Sequence, residues 1–93
     1  SAKQFQDQIL QQRMVLEEAF LSADHVEHVY PSDANYILVK MPNAKGFLQH
    51  CAAENVVLRD FTEKPWIENC IRISVGLPAE NEKLMALLEA FQG

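Results

Sequence analysis

Two arginines sit where they could do chemistry. Arg59 ends the apolar run Val56-Val57-Leu58-Arg59, and Arg72 stands inside Asn69-Cys70-Ile71-Arg72-Ile73-Ser74-Val75-Gly76. The second stretch alternates with period two, which puts Ile71, Ile73 and Val75 on one face and Arg72, Ser74 and Gly76 on the other. An arginine on the open face of a strand is either a solvated surface charge or a planar fork of donors aimed at two oxygens of a carboxylate or phosphate. The loop from Asp60 to Glu68 lets the two strands lie side by side as a hairpin. Spacing alone leaves both readings open.

The other reactive side chains form no complete apparatus. His25 and His28 are three apart in a stretch that reads as a strand, so they face opposite ways, and neither a cysteine nor a carboxylate joins them or His50 at metal-ligand spacing. They read as surface histidines, and no metal site is expected. Glu17-Glu18 and the pair Glu80 and Glu82 lie on the polar sides of amphipathic helices, where solvation explains them better than acid–base work. Ser74 has no neighbouring base and no G-x-S-x-G elbow. Gly46, Gly76 and Gly93 are too scattered to make a phosphate-cradling loop. Cys51 and Cys70 fall in apolar periodic stretches and read as buried free thiols of a cytoplasmic protein.

The elements that would position the arginines can be read from periodicity. Residues from about Lys3 to Ser22 form a first helix with Phe5, Ile9, Leu16 and Phe20 on one face, and Leu10, Met14 and Leu21 widen its apolar surface enough for a second partner. His25 to Tyr30 reads as a strand, Pro31-Ser32-Asp33 as a turn, and Ala34 to Met41 as a second, antiparallel strand that is apolar on both faces and therefore central. Asn43 caps a second helix with the stripe Ala44, Phe47, Leu48 and Cys51, and Asn55 closes it in the left-handed conformation. Strands at Val56–Arg59 and around Arg72 follow. A last helix starts at Pro78 and carries the stripe Leu84, Leu87, Leu88 and Phe91. The order α-β-β-α-β-β-α predicts an α+β, two-layer sandwich, a mostly antiparallel sheet with helices over one face.

Bulk composition narrows the partners. Ninety-three residues make one domain that buries roughly 60–65% of its unfolded surface, leaving little room for an enclosed active site. A net charge of −5 lacks the basic face that phosphate neutralisation requires, so nucleic acid is not an expected partner. No apolar run is long enough to span a membrane. The chain opens Ser1-Ala2 without methionine, as an excised piece of a longer protein would.

The segments Ala34-Asn35-Tyr36-Ile37-Leu38-Val39, Val56-Val57-Leu58-Arg59-Asp60, Cys70-Ile71-Arg72-Ile73-Ser74-Val75-Gly76 and Glu80-Asn81 resemble, in order and spacing, the C-terminal part of histidinol-phosphate aminotransferase. The resemblance runs from the first helix to the end, and threonine-phosphate decarboxylase shares much of it. It implies that residues 1–93 are the C-terminal small domain of a longer pyridoxal-phosphate enzyme, working in a homodimer with a large cofactor-binding domain of the same chain. It also implies that Arg72 binds the anionic group of a phosphorylated substrate and that Arg59 helps hold the same phosphate. The Schiff-base lysine of the family lies in the large domain, so none of Lys3, Lys40, Lys45, Lys64 and Lys83 matches its motif. The resemblance therefore implies no catalytic or cofactor-binding residue here, with pyridoxal 5'-phosphate belonging to the full-length enzyme. A free-standing module that binds an anion or a protein without catalysis is the alternative from another class.

Overall fold

The computed structural model describes residues 2–32 and 34–93, so the expected turn at Asp33 falls partly outside the described residues. Helix α1 spans Ala2–Leu21, strands β1 and β2 span His28–Tyr30 and Tyr36–Lys40, and helix α2 spans Ala44–Ala52. Strands β3 and β4 span Arg59–Phe61 and Cys70–Ser74, and helix α3 spans Pro78–Ala90. The expected α-β-β-α-β-β-α order is the observed one. The four strands form one antiparallel sheet in the order β1-β2-β4-β3.

Alternation along the two central strands sorts the sheet into a covered and an open face. Ile37 lies opposite Ile73, and Val39 opposite Ile71, and all four are fully buried. With Val29 they meet Leu16 and Phe20 of α1, Phe47 and Cys51 of α2, and Leu84 and Leu88 of α3 in one apolar cluster. Burying a side chain of this size contributes about 1.5–3 kcal/mol, so the cluster is the main source of stability. Tyr36, Leu38, Arg72 and Ser74 occupy the other face. No helix is long and apolar enough to cross a membrane among the described residues.

The helix ends follow their local chemistry. Asn43 Oδ1 accepts the Gly46 N–H at 3.2 Å and caps α2. Asn55 takes the left-handed conformation (φ 64°) just past that helix, while the N–H groups of Asn55 and Val56 donate back to Ala52 O and Cys51 O. Leu77 precedes α3 and has no side chain to cap it. The Glu80 carboxylate instead accepts the Leu77 N–H at 2.8 Å, the reverse half of a capping box.

Three sequence expectations are corrected. The first strand starts at His28, not His25, because residues 22–26 turn off the end of α1 through Ala23 N–H to Phe20 O and Val26 N–H to Ala23 O. The third strand is Arg59–Phe61 rather than Val56–Arg59. Tying Val56 to the end of α2 holds residues 56–58 away from the edge of β4, and the ladder begins only at Arg59 and runs into the supposed loop. Phe5, expected on the packing face of α1, is 60% exposed at the start of the helix, beside the β4–α3 connection.

Candidate functional site

The divergence of residues 56–58 from β4 opens a cleft of about 530 Å³ at the sheet edge. Its walls include Val57, Arg59, Arg72, Ser74 and Gly76, with Asn81, Lys83 and Leu84 of α3 behind. Backbone alternation explains why this edge stays open. The Val75 N–H donates to Asn35 O at 2.9 Å, so Ile71, Ile73 and Val75 turn their backbone groups toward β2. Arg72, Ser74 and Gly76 turn theirs the other way. Arg72 is met by Arg59, whereas Ser74 has no cross-strand partner in β3.

At Gly76 a side chain closes the edge in place of a strand. Asn81 Oδ1 accepts the Gly76 N–H, and Asn81 Nδ2 donates to Gly76 O, each at 2.9 Å. The same Nδ2 donates to Gln12 Oε1 of α1 at 2.9 Å. One amide, only 2% exposed, thus ties β4, α3 and α1 together behind the cleft.

The structure brings both predicted site residues together. Arg59 and Arg72 are direct cross-strand partners, which places their side chains on the same, open face of the sheet. The Arg72 guanidinium carbon lies 4.2 Å from the centre of the Tyr36 ring. Its Nε is buried and has no hydrogen-bond partner among the described residues. No salt bridge reaches either arginine among the described residues. Glu80 also lines the cleft, where its carboxylate accepts the Leu77 N–H at 2.8 Å rather than pairing with either arginine, and Asp60 accepts the Thr62 hydroxyl at 2.6 Å. That hydroxyl, and then the Thr62 N–H, hold the Asp60 carboxyl below its ordinary value.

Arg13 shows what a structural arginine looks like in the same chain. Its Nε donates to Glu17 at 3.3 Å within α1, and its Nη1 donates to Ala34 O at 2.8 Å, joining α1 to the β1–β2 turn. Arg59 and Arg72 carry two like charges on one face with no counter-ion among the described residues, an arrangement that suits an incoming anion.

The remaining candidates go elsewhere. His28 is exposed on β1 and stacks edge-on against Tyr30, while His25 Nε2 and His50 Nε2 meet Leu88 O and Leu87 O, at 3.2 and 2.9 Å, near the end of α3. His25 and His50 are therefore half-buried partners of a helix end rather than surface residues. Burial pushes the Cys51 thiol up to about 11 and also raises Cys70. Sequence reasoning missed Asn81 and Tyr36. A polar residue on the stripe Asn81, Leu84 and Leu88 was the available signal for the first. Tyr36 becomes visible only when the β2–β4 register is known.

Comparison with known proteins gives this geometry a context. The chain is 37% identical over 82 residues to a histidinol-phosphate aminotransferase of Flavobacterium psychrophilum, covering 88% of this chain and 24% of that protein. The chain is homologous to the small C-terminal domain of histidinol-phosphate aminotransferases. It spans about a quarter of the length of the curated relatives it matches. The histidinol-phosphate aminotransferase structure from Clostridium acetobutylicum superposes with a TM-score of 0.78 at 18% identity, over 87% of this chain and 25% of that one, and establishes the shared fold. An L-threonine-O-3-phosphate decarboxylase structure from Porphyromonas gingivalis matches with a TM-score of 0.76 at 26% identity, over 88% of this chain and 26% of that one. No protein-family profile matches the chain.

The related enzymes are pyridoxal-phosphate dependent, and the lysines of this chain do not fit that cofactor. A Schiff-base lysine needs a desolvated amine of lowered pKa. Lys40 bonds Glu27 at 3.2 Å, and that hydrogen bond and charge push its ammonium above the ordinary range. Lys45 contacts Glu63, and Lys64 sits over the Phe61 ring. Lys3 is exposed on the first turn of α1, and Lys83 is exposed on α3.

Proposed function

We propose that this chain is the substrate-anchoring domain of a cytoplasmic aminotransferase that moves an amino group between glutamate and imidazole acetol phosphate in histidine biosynthesis. In this reading Arg72 and Arg59 hold the phosphate ester of the substrate. A large domain of the same, longer chain carries pyridoxal phosphate, and the enzyme works as a homodimer. The observation that carries the reading is the cross-strand pairing of two arginines that have no counter-ion among the described residues, one of them with a buried Nε that has no partner there. A dianionic phosphate supplies acceptors for both forks. The residues on the page then do one job: they bind and orient the substrate through its phosphate, leaving bond-making to the cofactor domain.

The match to the L-threonine-O-3-phosphate decarboxylase structure supports a second reading, in which the same pair anchors a different phosphate monoester. Both readings share the phosphate and differ in the reaction. The test is to assay the full-length gene product with imidazole acetol phosphate and with phosphothreonine, in wild-type form and as Arg72→Ala. Removing one partner of a buried charge contact costs about 2–5 kcal/mol, so kcat/KM for the accepted phosphate substrate should fall at least about 30-fold. Unchanged kinetics in Arg72→Ala would refute the anchoring role, and the preferred substrate decides between the two reactions.

A further inference from the structure

Arg72 is held in a way that differs from every other cation in the chain with a partner in the structure. Arg13, Lys40 and Lys45 are each held by a carboxylate. Lys64 rests over Phe61 but lies in the exposed β3–β4 loop. Arg72 alone is half-buried, rests on an aromatic face, and keeps its Nε without an acceptor. The register explains how the ring gets there. Leu38 lies opposite Arg72, Tyr36 lies two residues before Leu38 on the same face, and Tyr36 opposes Ser74 at the open edge. A diagonal neighbour of this kind is within reach of long and aromatic side chains.

We propose that Tyr36 is a positioning residue for the anion site: its ring is the shelf that holds the Arg72 guanidinium toward the cleft. The inference rests on the reading of Arg72 as the anion anchor. A carboxylate in this place would hold the guanidinium as well, but would neutralise it and compete with the incoming anion. An aromatic face attracts the cation through its quadrupole and leaves the N–H donors free. It also opposes the repulsion from Arg59, which the ladder fixes directly across from Arg72 on the same face. Without the ring, Arg72 has no hydrogen bond or ion pair among the described residues to keep it near the cleft.

The experiment is a titration of the full-length gene product with inorganic phosphate, followed by NMR at the arginine Nε–H signals. Wild type is compared with Tyr36→Phe, Tyr36→Leu, Tyr36→Met and Arg72→Gln, and circular dichroism checks that each is folded. In the wild type, the ring should move the Arg72 Nε–H signal upfield of those of Arg13 and Arg59. Tyr36→Phe should keep that shift and bind phosphate within about threefold of wild type. Tyr36→Leu and Tyr36→Met should lose the shift and bind roughly 3- to 30-fold more weakly, the range a cation–π contact supports. Wild-type affinity in Tyr36→Leu or Tyr36→Met, with Arg72→Gln impaired, overturns the role of Tyr36 alone, as does a Phe variant as weak as Leu. Wild-type affinity in Arg72→Gln, or no phosphate response in the wild type, instead overturns the anion site. The absence of a ring shift in the wild type overturns the shelf whatever the variants do.

Discussion

Replacing Asn81 with alanine should be among the most damaging polar changes in the chain. The amide makes three hydrogen bonds, two to Gly76 and one to Gln12, all at 2.9 Å. A typical bond of this kind contributes about 1 kcal/mol net, and a donor or acceptor left unpaired away from water costs about 1–3 kcal/mol. Gly76 is only half-buried, so water can answer part of what the alanine leaves open. The balance is a loss of about 2–4 kcal/mol. Set against the roughly 5–14 kcal/mol typical of a domain of this length, that is a large share. At about 4–8 °C per kcal/mol, the midpoint of thermal unfolding should fall by roughly 8–32 °C. Urea unfolding followed by circular dichroism checks the free energy directly, with an unchanged slope required for the comparison. Asn81→Asp keeps an acceptor for the Gly76 N–H but loses both donors and sets a carboxylate beside Gly76 O, so it should be at least as harmful. Gln12→Ala should cost about 1 kcal/mol alone and almost nothing in the Asn81→Ala background, because the two share one bond. An Asn81→Ala protein within about 0.5 kcal/mol of wild type would show that the amide does not close the sheet edge in the way described.

Two further predictions probe the charges around the cleft. Arg59→Gln removes a like charge directly across from Arg72, and should stabilise the chain by about 0.2–1 kcal/mol at low salt while weakening phosphate binding. The gain should shrink as added salt screens the pair, and a loss of stability at low salt would count against the repulsion. Asp60 has a lowered pKa because of the Thr62 hydroxyl and then the Thr62 N–H, so its contribution to stability is present above the ordinary carboxyl value near ~3.9 and is lost as pH falls through the lower folded value. Thr62→Val removes the larger cause and should move Asp60 back up, as read by carbon NMR of the carboxyl group. An unmoved Asp60 would mean that the hydroxyl bond is not its main support.

The sequence revealed this fold wherever burial on one face controlled the pattern. Ile71, Ile73, Ile37 and Val39 alternate because half of each central strand faces the helices. The stripes Ala44, Phe47, Cys51 and Leu84, Leu88 mark helices for the same reason. What failed was the third strand. Val56-Val57-Leu58 has the composition of a strand, yet whether such a run joins a ladder depends on where the preceding helix releases it. The Val56 N–H bond to Cys51 O sets that point, and no property of residues 56–58 encodes it. The arginine pairing was legible for a related reason: it needed only that two strands joined by one loop lie side by side. The shelf under Arg72 was not, because Tyr36 reaches it across a different pairing, between strands far apart in sequence.

Three departures from ordinary local rules converge on one place. Two like charges face each other across β3 and β4, a half-buried guanidinium keeps an unpartnered Nε, and the sheet edge at Ser74 lacks a strand. A sequence that specifies a fold satisfies such groups unless a site requires otherwise. Elsewhere the same chain does answer such groups: Asn81 closes the edge at Gly76, and Arg13 has both a carboxylate and a carbonyl partner. The unsatisfied set has one sign of charge and an excess of donors over acceptors. A cation would be repelled there, and an apolar ligand would bury the charges without pairing them. An oxyanion answers both the charge and the donors, and that is the physical ground for the anion site proposed here.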